Sequence, residues 1–270
     1  MTTEYPIQVF NFPTGETHVK APSGYFHLIN KNILYIPFEQ NQNLNDWLMA
    51  ILLATNVFHR RGVKLDLYIP YLPYSRQDRP TSQEEPFSLK VIGGILNLQN
   101  YRRVYTLDVH SDVAYGCVNN LVNIEIDTIL KKSAAKFYPT LVIPDQGAYK
   151  RLSKISANFE NTVTTIKHRD TNTGALEIRH LIGDVDGQDC LIVDDICDGG
   201  GTFVLLAKKL YSLGAKSVHL FVTHGIFSKG LNVLWDAGIN SIHTTNSCRS
   251  NLCSEGKLEV IDVREIINHV

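Results

Sequence analysis

The stretch that decides the fold is CLIVDDICDGGGTFVLLAKKL, residues 190–210. Its apolar run from Cys190 to Val193 is short and rich in β-branched residues, which reads as a buried strand. The strand ends on two adjacent acids, Asp194 and Asp195. The chain then passes Asp198 and turns through Gly199, Gly200 and Gly201 into an apolar helix over Thr202 to Leu213, with Gly214 as its stop. Glycines there let backbone N–H groups approach a ligand closely, Thr202 adds a hydroxyl, and the positive end of the helix dipole faces the same point. An anion such as a phosphate is the expected occupant. No lysine follows the last glycine, so this is not a Walker loop. The two carboxylates, at the C-terminal edge of a strand, suit vicinal sugar hydroxyls or a magnesium ion.

Outward from this stretch, short β-branched runs recur between helical patterns: ILYIPF (33–38), LDLYIP (65–70), RVYTLDV (103–109), TLVIPD (140–145), SVHLFVTH (217–224) and LEVIDV (258–263). Helices are expected over Asn43 to Arg61, Phe87 to Leu98 and Ile129 to Phe137. The alternation predicts an α/β protein with mostly parallel sheets. Two doubly wound domains, 1–127 and 128–270, are expected, with a boundary in the region 124–130. The final helix, 263–270, is a candidate to pack back on the first domain.

The chain has 270 residues, 44% of them apolar, enough for two ordinary cores. With 26 basic and 27 acidic side chains its formal charge is −1, so no global field invites nucleic acid or an anionic membrane. The five cysteines, Cys117, Cys190, Cys197, Cys248 and Cys253, are odd in number and contain no CxxC pair, which favours reduced thiols. No leader-like or membrane-spanning run is evident, so a soluble, cytoplasmic protein is expected.

Residues 190–202 resemble the phosphoribosyl-diphosphate (PRPP) binding signature shared by type I phosphoribosyltransferases and ribose-phosphate pyrophosphokinases (PRPP synthetases). Further segments favour the second family. YIPYLPYSRQDRP (68–80) is similar to its Arg-Gln-Asp-Arg segment, which transferases lack, and LDVHSDVAYG (107–116) to its Asp-Leu-His stretch. NFPTGETHV (11–19) resembles its Phe-x-Asp-Gly-Glu loop, PDQGAYKR (144–151) its Pro-Asp-x-Gly helix start, and IKHRD (166–170) its Lys-Arg-Arg loop. The matches keep the family's order.

The resemblance implies the type I phosphoribosyltransferase-like fold in both domains. It also implies magnesium-dependent transfer of the β,γ-diphosphate of ATP to the anomeric hydroxyl of ribose 5-phosphate, in the service of nucleotide biosynthesis. Lys167 and Arg169 would stabilise the transferring group from a loop that orders on substrate, with His110 as a further catalytic group. Phe12, Glu16, Arg76, Gln77, Asp78 and Arg79 would bind ATP. Asp194, Asp195, Asp198, Gly199, Gly200, Gly201 and Thr202 would bind the ribose phosphate, and His110 and Asp145 the metal. Taken alone, the segment Arg76 to Arg79 could be a surface salt bridge, His110 a core or hydrogen-bonded histidine and Asp145 a helix cap. The adenine loop of the family reaches into a neighbouring subunit, so a homo-oligomer, dimer or hexamer, is implied.

Four departures qualify the match. It begins almost at the adenine loop, without the family's usual first strand and helix, which weakens what the resemblance implies about the usual oligomer and its allosteric sites. Thr14 stands where the family has Asp or Asn. SDVAYG after His110 lacks the usual Glu-Gln. The phosphate loop, normally Asp-Thr-Gly/Ala-Gly-Thr, reads Asp198-Gly199-Gly200-Gly201-Thr202, losing a hydroxyl and gaining room. That room raises ADP-ribose, and with it NAD biosynthesis, as an alternative to ribose 5-phosphate. A non-catalytic regulatory homologue is the remaining alternative, against which stand Lys167, Arg169, His110 and Asp194.

Overall fold

A computed structural model of the chain describes residues 7–21, 32–39, 42–169 and 176–267, with the backbone alone over 167–169 and 176–179. It divides into two compact units, Met1–Ile124 with Cys248–Ser250, and Glu125–Ser247 with Asn251–Val270.

The first unit opens with a hairpin of β1 (Gln8–Asn11) and β2 (Thr17–Lys20). Then come β3 (Ile33–Leu34), α1 (Leu44–His59), β4 (Asp66–Tyr68), α2 (Ser88–Asn97), β5 (Val104–Leu107), α3 (Val113–Cys117) and β6 (Leu121–Ile124). The strands β3-β4-β5-β6 form a parallel sheet in sequence order. Helix α1 starts where the Asn43 side chain accepts the Asn45 N–H, and it buries Trp47, Ile51, Ala54 and Phe58, one stripe at helical spacing. The Trp47 indole is fully buried and donates to the Ile36 carbonyl at 2.8 Å, which satisfies the one polar atom that its burial would otherwise strand. Residues 248–250 belong to this unit, where the Ser250 N–H reaches the Phe38 carbonyl at 2.8 Å.

The second unit runs through α4 (Ile126–Leu130), β7 (Thr140–Ile143), α5 (Gln146–Leu152), β8 (Asn161–Arg169), β9 (Leu176–Ile182), β10 (Asp189–Cys197), α6 (Gly201–Ser212), β11 (Ser217–Gly225), α7 (Asn232–Trp235), β12 (Ile239–Thr245), β13 (Leu258–Ile261) and α8 (Val263–Ile267). Its seven strands lie in the order β13-β12-β11-β10-β7-β8-β9, parallel except for the β8–β9 pair. Strand order reverses between β7 and β10, and open α/β sheets bind ligands in the crevice at such a reversal. Helix α6 covers the sheet with Phe203, Leu206, Ala207 and Leu210, and burying each large side chain stabilises by roughly 2 kcal/mol.

Three expectations change. The helix expected over 129–137 is two pieces: α4 ends at Leu130, and a separate 3-10 turn spans Ala134–Phe137, started by extended Ser133, whose hydroxyl accepts the Ala135 N–H. The strand expected over 33–38 is only two residues long. The C-terminal helix lies with the second unit: β13 pairs with β12, and the Asn246 side chain caps the Val263 N–H at 2.9 Å, tying α8 to that sheet. Strands β6, β8, β9 and β12 and the initial hairpin add to those expected. All five cysteines are free thiols. Among the described residues no helix is long and apolar enough to cross a membrane.

Candidate functional site

The first unit gathers the segments matched to the nucleotide. After β4 the chain turns through Tyr74, whose φ of 60° is left-handed and whose hydroxyl donates to Asn45 Oδ1 at 2.6 Å. This leaves Arg76 and Gln77 exposed on a cleft of about 600 Å³ lined also by Asn43, Asn45, Tyr71 and Tyr74. Leu89 N–H to the Gln77 carbonyl, 3.2 Å, ties the turn to the start of α2. Asp78 and Arg79 face each other at 3.5 Å, with Arg79 82% exposed.

Phe12 and Glu16 sit in the β1–β2 turn. It is closed by the Phe12 N–H to the Glu16 carbonyl and the Gly15 N–H to the Phe12 carbonyl, both 2.8 Å, with Gly15 at φ 91°. The Thr14 hydroxyl donates to Glu16 Oε2 at 2.7 Å, so the residue that departs from the family pattern holds its neighbour's carboxylate. Phe12 keeps 46% of its surface exposed and meets Phe10 edge-on at 5.6 Å. His110 is exposed just beyond β5, after buried Asp108, whose φ of 38° marks a strained turn of the kind found at binding sites.

The second unit holds the acids and the glycine loop at its sheet reversal. Val142 on β7 is level with Ile192 on β10, so Asp145 beyond β7 and Asp194 near the end of β10 occupy neighbouring strand ends. The Asp145 carboxylate accepts the Ala148 N–H at 2.8 Å and so caps α5. Helix α5 then carries Arg151 back over the sheet, where its guanidinium meets Asp194 at 2.7 Å and Asp195 at 3.2 Å. Arg151 and Asp194 are only 16% and 15% exposed, Asp195 6%. Burial first, and then the charge of Asp195, push the Asp194 carboxyl up to about 8 while Arg151 pulls the other way. Burial also raises the adjacent Cys197 thiol to about 12, so it stays protonated.

Beyond half-buried Asp198, Gly200 takes φ 77° and serves as N-cap of α6, with Thr202 in the first turn. A Cβ at Gly200 would stand 2.9 Å from Leu234 Cδ2, so conformation and space both demand glycine. At Gly199 a Cβ would meet the methylenes of Lys229. Lys167 and Arg169 have backbones in β8, paired with Ile178 and Leu176 of β9, while their side chains and residues 170–175 lie outside the described residues.

Two residues at this end of the sheet escaped the sequence reading. Arg151 becomes visible only once β7 and β10 are known to be neighbours. Lys229, in the turn after β11, carries no motif at all.

Residues 2–98 match the family described as the N-terminal domain of ribose phosphate pyrophosphokinase, and residues 117–237 the phosphoribosyl transferase domain. The chain is 31% identical to a ribose-phosphate pyrophosphokinase of Agrobacterium fabrum over 82% of its own length and 75% of the relative's. It is 32% identical to that of Mesorhizobium japonicum, over 84% and 77%. The fold is similar to that of a phosphoribosylpyrophosphate synthetase from Mycobacterium smegmatis, with a TM-score of 0.76, 22% identity and coverage of 97% of this chain and 88% of that one.

Proposed function

The chain belongs to the ribose-phosphate pyrophosphokinase family, and on that premise we propose that it transfers the β,γ-diphosphate of ATP to the anomeric hydroxyl of ribose 5-phosphate, releasing AMP and PRPP. The observation that carries the reading is the end of β10: a largely buried pair of acids, then, beyond Asp198, a glycine loop that opens a twelve-residue helix, at the reversal of a mostly parallel sheet. The loop amides and helix dipole suit the 5-phosphate, and the acids suit the vicinal 2- and 3-hydroxyls. Their combination fixes which end of the sugar is buried and leaves the anomeric oxygen outward.

The nucleotide side is assigned to Arg76 and Gln77 on their cleft, to Phe12 as a stacking surface and to Glu16 as an acceptor for the adenine amino group. Asp78 and Arg79 flank this segment. Displacement at the middle phosphorus needs alignment and neutralisation of charge spread over the phosphoryl oxygens. His110, Lys167 and Arg169 are the groups assigned to it.

Magnesium fits the oxygen-rich donor set. Among the described residues no group of three or more metal-binding side chains is gathered. Magnesium asks for only one or two protein carboxylates beside water and substrate phosphates; Asp145 at the end of β7 is such a donor, and Asp194 on the neighbouring strand would become one once the ion displaced its proton. His110 is the further assigned ligand. The ion would supply neutralisation of the triphosphate.

The test incubates the enzyme with ATP, Mg2+ and ribose 5-phosphate, ADP-ribose or unphosphorylated ribose, and follows AMP. Release with ribose 5-phosphate alone is expected. Release with ADP-ribose alone would transfer the assignment to an ADP-ribose pyrophosphokinase, and release with none would leave a regulatory homologue.

A further inference from the structure

We infer that Lys229 is a phosphate-binding residue of the sugar site, supplying a cation where the glycine loop has lost its hydroxyl, and that it selects a terminal phosphomonoester. The inference rests on the proposed function, which places the 5-phosphate on the Gly199–Gly201 loop, and it names the chemistry that the site prefers.

The contact carries the argument. A Cβ built at Gly199 would lie 3.4 Å from Lys229 Cε, 3.5 Å from Cδ and 3.7 Å from Cγ. The lysine stem therefore runs along the side of the loop from which a side chain at 199 would project, and its ammonium lies one bond past the nearest of these atoms. Any γ atoms at 199 would have to share the space that the stem now fills. Gly199 and Lys229 are thus coupled: the small residue admits the long one.

The turn that presents the lysine is fixed to the loop it serves. The N–H groups of Ile226 and Phe227 both reach the Cys197 carbonyl, at 2.9 and 3.1 Å, and the Ser228 N–H reaches the Asp198 carbonyl at 3.2 Å. Phe227, with φ 47° and 2% exposure, folds over Gly225, where even a Cβ would stand 2.2 Å from its ring. The Gly230 N–H closes the turn on the Phe227 carbonyl at 2.9 Å. Lys229 itself is exposed, so its backbone is held while its ammonium remains able to swing onto a ligand.

The exchange has a chemical consequence. A threonine hydroxyl offers a neutral hydrogen bond that any phosphate oxygen can accept. An ammonium offers a charge-assisted one, which is roughly twice as strong and grows with the charge on its partner. A terminal phosphomonoester carries nearly two charges near neutrality, whereas each phosphate within a diphosphate diester carries one. The Lys229 stem also occupies the room beside Gly199 that a bulkier 5-substituent would need. Both effects favour ribose 5-phosphate over ADP-ribose.

Steady-state kinetics on the purified full chain test this with Lys229→Met, which keeps the stem and removes the charge. The KM for ribose 5-phosphate should rise by about tenfold or more while the KM for ATP stays within about twofold, the span of one charge-assisted hydrogen bond. Lys229→Arg should recover most of the loss. Gly199→Thr alone should weaken the sugar phosphate, and adding Lys229→Ala, which removes the stem, should restore part of the affinity rather than add a second penalty. Thermal melts of all variants separate lost binding from lost folding. A wild-type enzyme that releases AMP while Lys229→Met keeps its KM for ribose 5-phosphate within about twofold would overturn the inference and leave the parent reading intact. A wild type that turns over no sugar phosphate would remove both.

Discussion

Replacing Arg151 with glutamine leaves Asp194 and Asp195 side by side without the guanidinium that bridges them at 2.7 and 3.2 Å. All three side chains are at most 16% exposed, so water replaces little of the lost interaction. Removing one partner from a buried ionic group costs about 3–5 kcal/mol, and the residual exposure here places the expectation at about 3 kcal/mol. The cost must also depend on pH. Asp194 already has its carboxyl pushed up to about 8, so its folded value lies above the ordinary one, and its contribution is present in acid and lost as pH rises through that value. Without Arg151 the carboxyl moves higher still, and the gap to wild type widens toward and past about pH 8. Urea denaturation at about pH 5.5 and about pH 9.5 measures both parts, with about 3 kcal/mol expected at the higher pH and half of that or less at the lower, since about 1.5 pH units above the folded value are worth up to about 2 kcal/mol. A loss below about 1 kcal/mol at the higher pH, or an equal loss at both, would show that Arg151 does not neutralise the diacid.

Other perturbations probe the site separately. Gly200→Ala forces a Cβ into a left-handed position 2.9 Å from Leu234 and should cost about 2 kcal/mol, read as a fall in Tm of several degrees; an unchanged Tm would mean that the loop has another conformation. Asp145→Asn keeps a good N-cap for α5 but halves the carboxylate's appeal to a cation. Its stability should stay within about 0.5 kcal/mol of wild type while the magnesium needed for half-maximal rate rises about tenfold, and a stability loss with unchanged magnesium dependence would reduce Asp145 to a cap. Burial lowers His219 to about 4, against a Tyr138 ring stacked 3.9 Å away, so its contribution is present above about pH 6.5 and lost as pH falls toward 4. His219→Gln should flatten that acid limb in a pH series of melts, and an unaltered limb would assign it to other groups.

Much of this was legible because the deciding features are local. The strand, acids, glycines and helix of 190–210 follow one another without interruption, and periodicity alone places β10 and α6 within a residue or two. The cap of α1 at Asn43 and the stop at Gly214, with φ 91°, were equally local. What sequence could not supply is neighbourhood across the sheet. That Arg151 lies on the β10 acids follows from the reversal between β7 and β10, and no spacing along the chain encodes it. The broken helix at 131–133 turns on a serine choosing to cap rather than continue, a contest of small energies. Strands β8 and β12 do not stand out in the sequence because threonine, serine and asparagine interrupt their apolar runs, whereas in the sheet these polar groups find partners: Thr165 donates to the Pro144 carbonyl at 2.6 Å, and Thr245 to the Thr223 carbonyl at 2.7 Å.

The central claim, attack by the anomeric oxygen of ribose 5-phosphate on the middle phosphorus of ATP, is tested most directly by an isotope. Ribose 5-phosphate labelled with heavy oxygen at its anomeric hydroxyl is turned over with ATP and Mg2+, and the products are resolved by phosphorus NMR and mass spectrometry. The account predicts unlabelled AMP and a sugar diphosphate whose bridging oxygen retains the label. Formation of ADP in place of AMP, or a diphosphate ester that has lost the label, would contradict it.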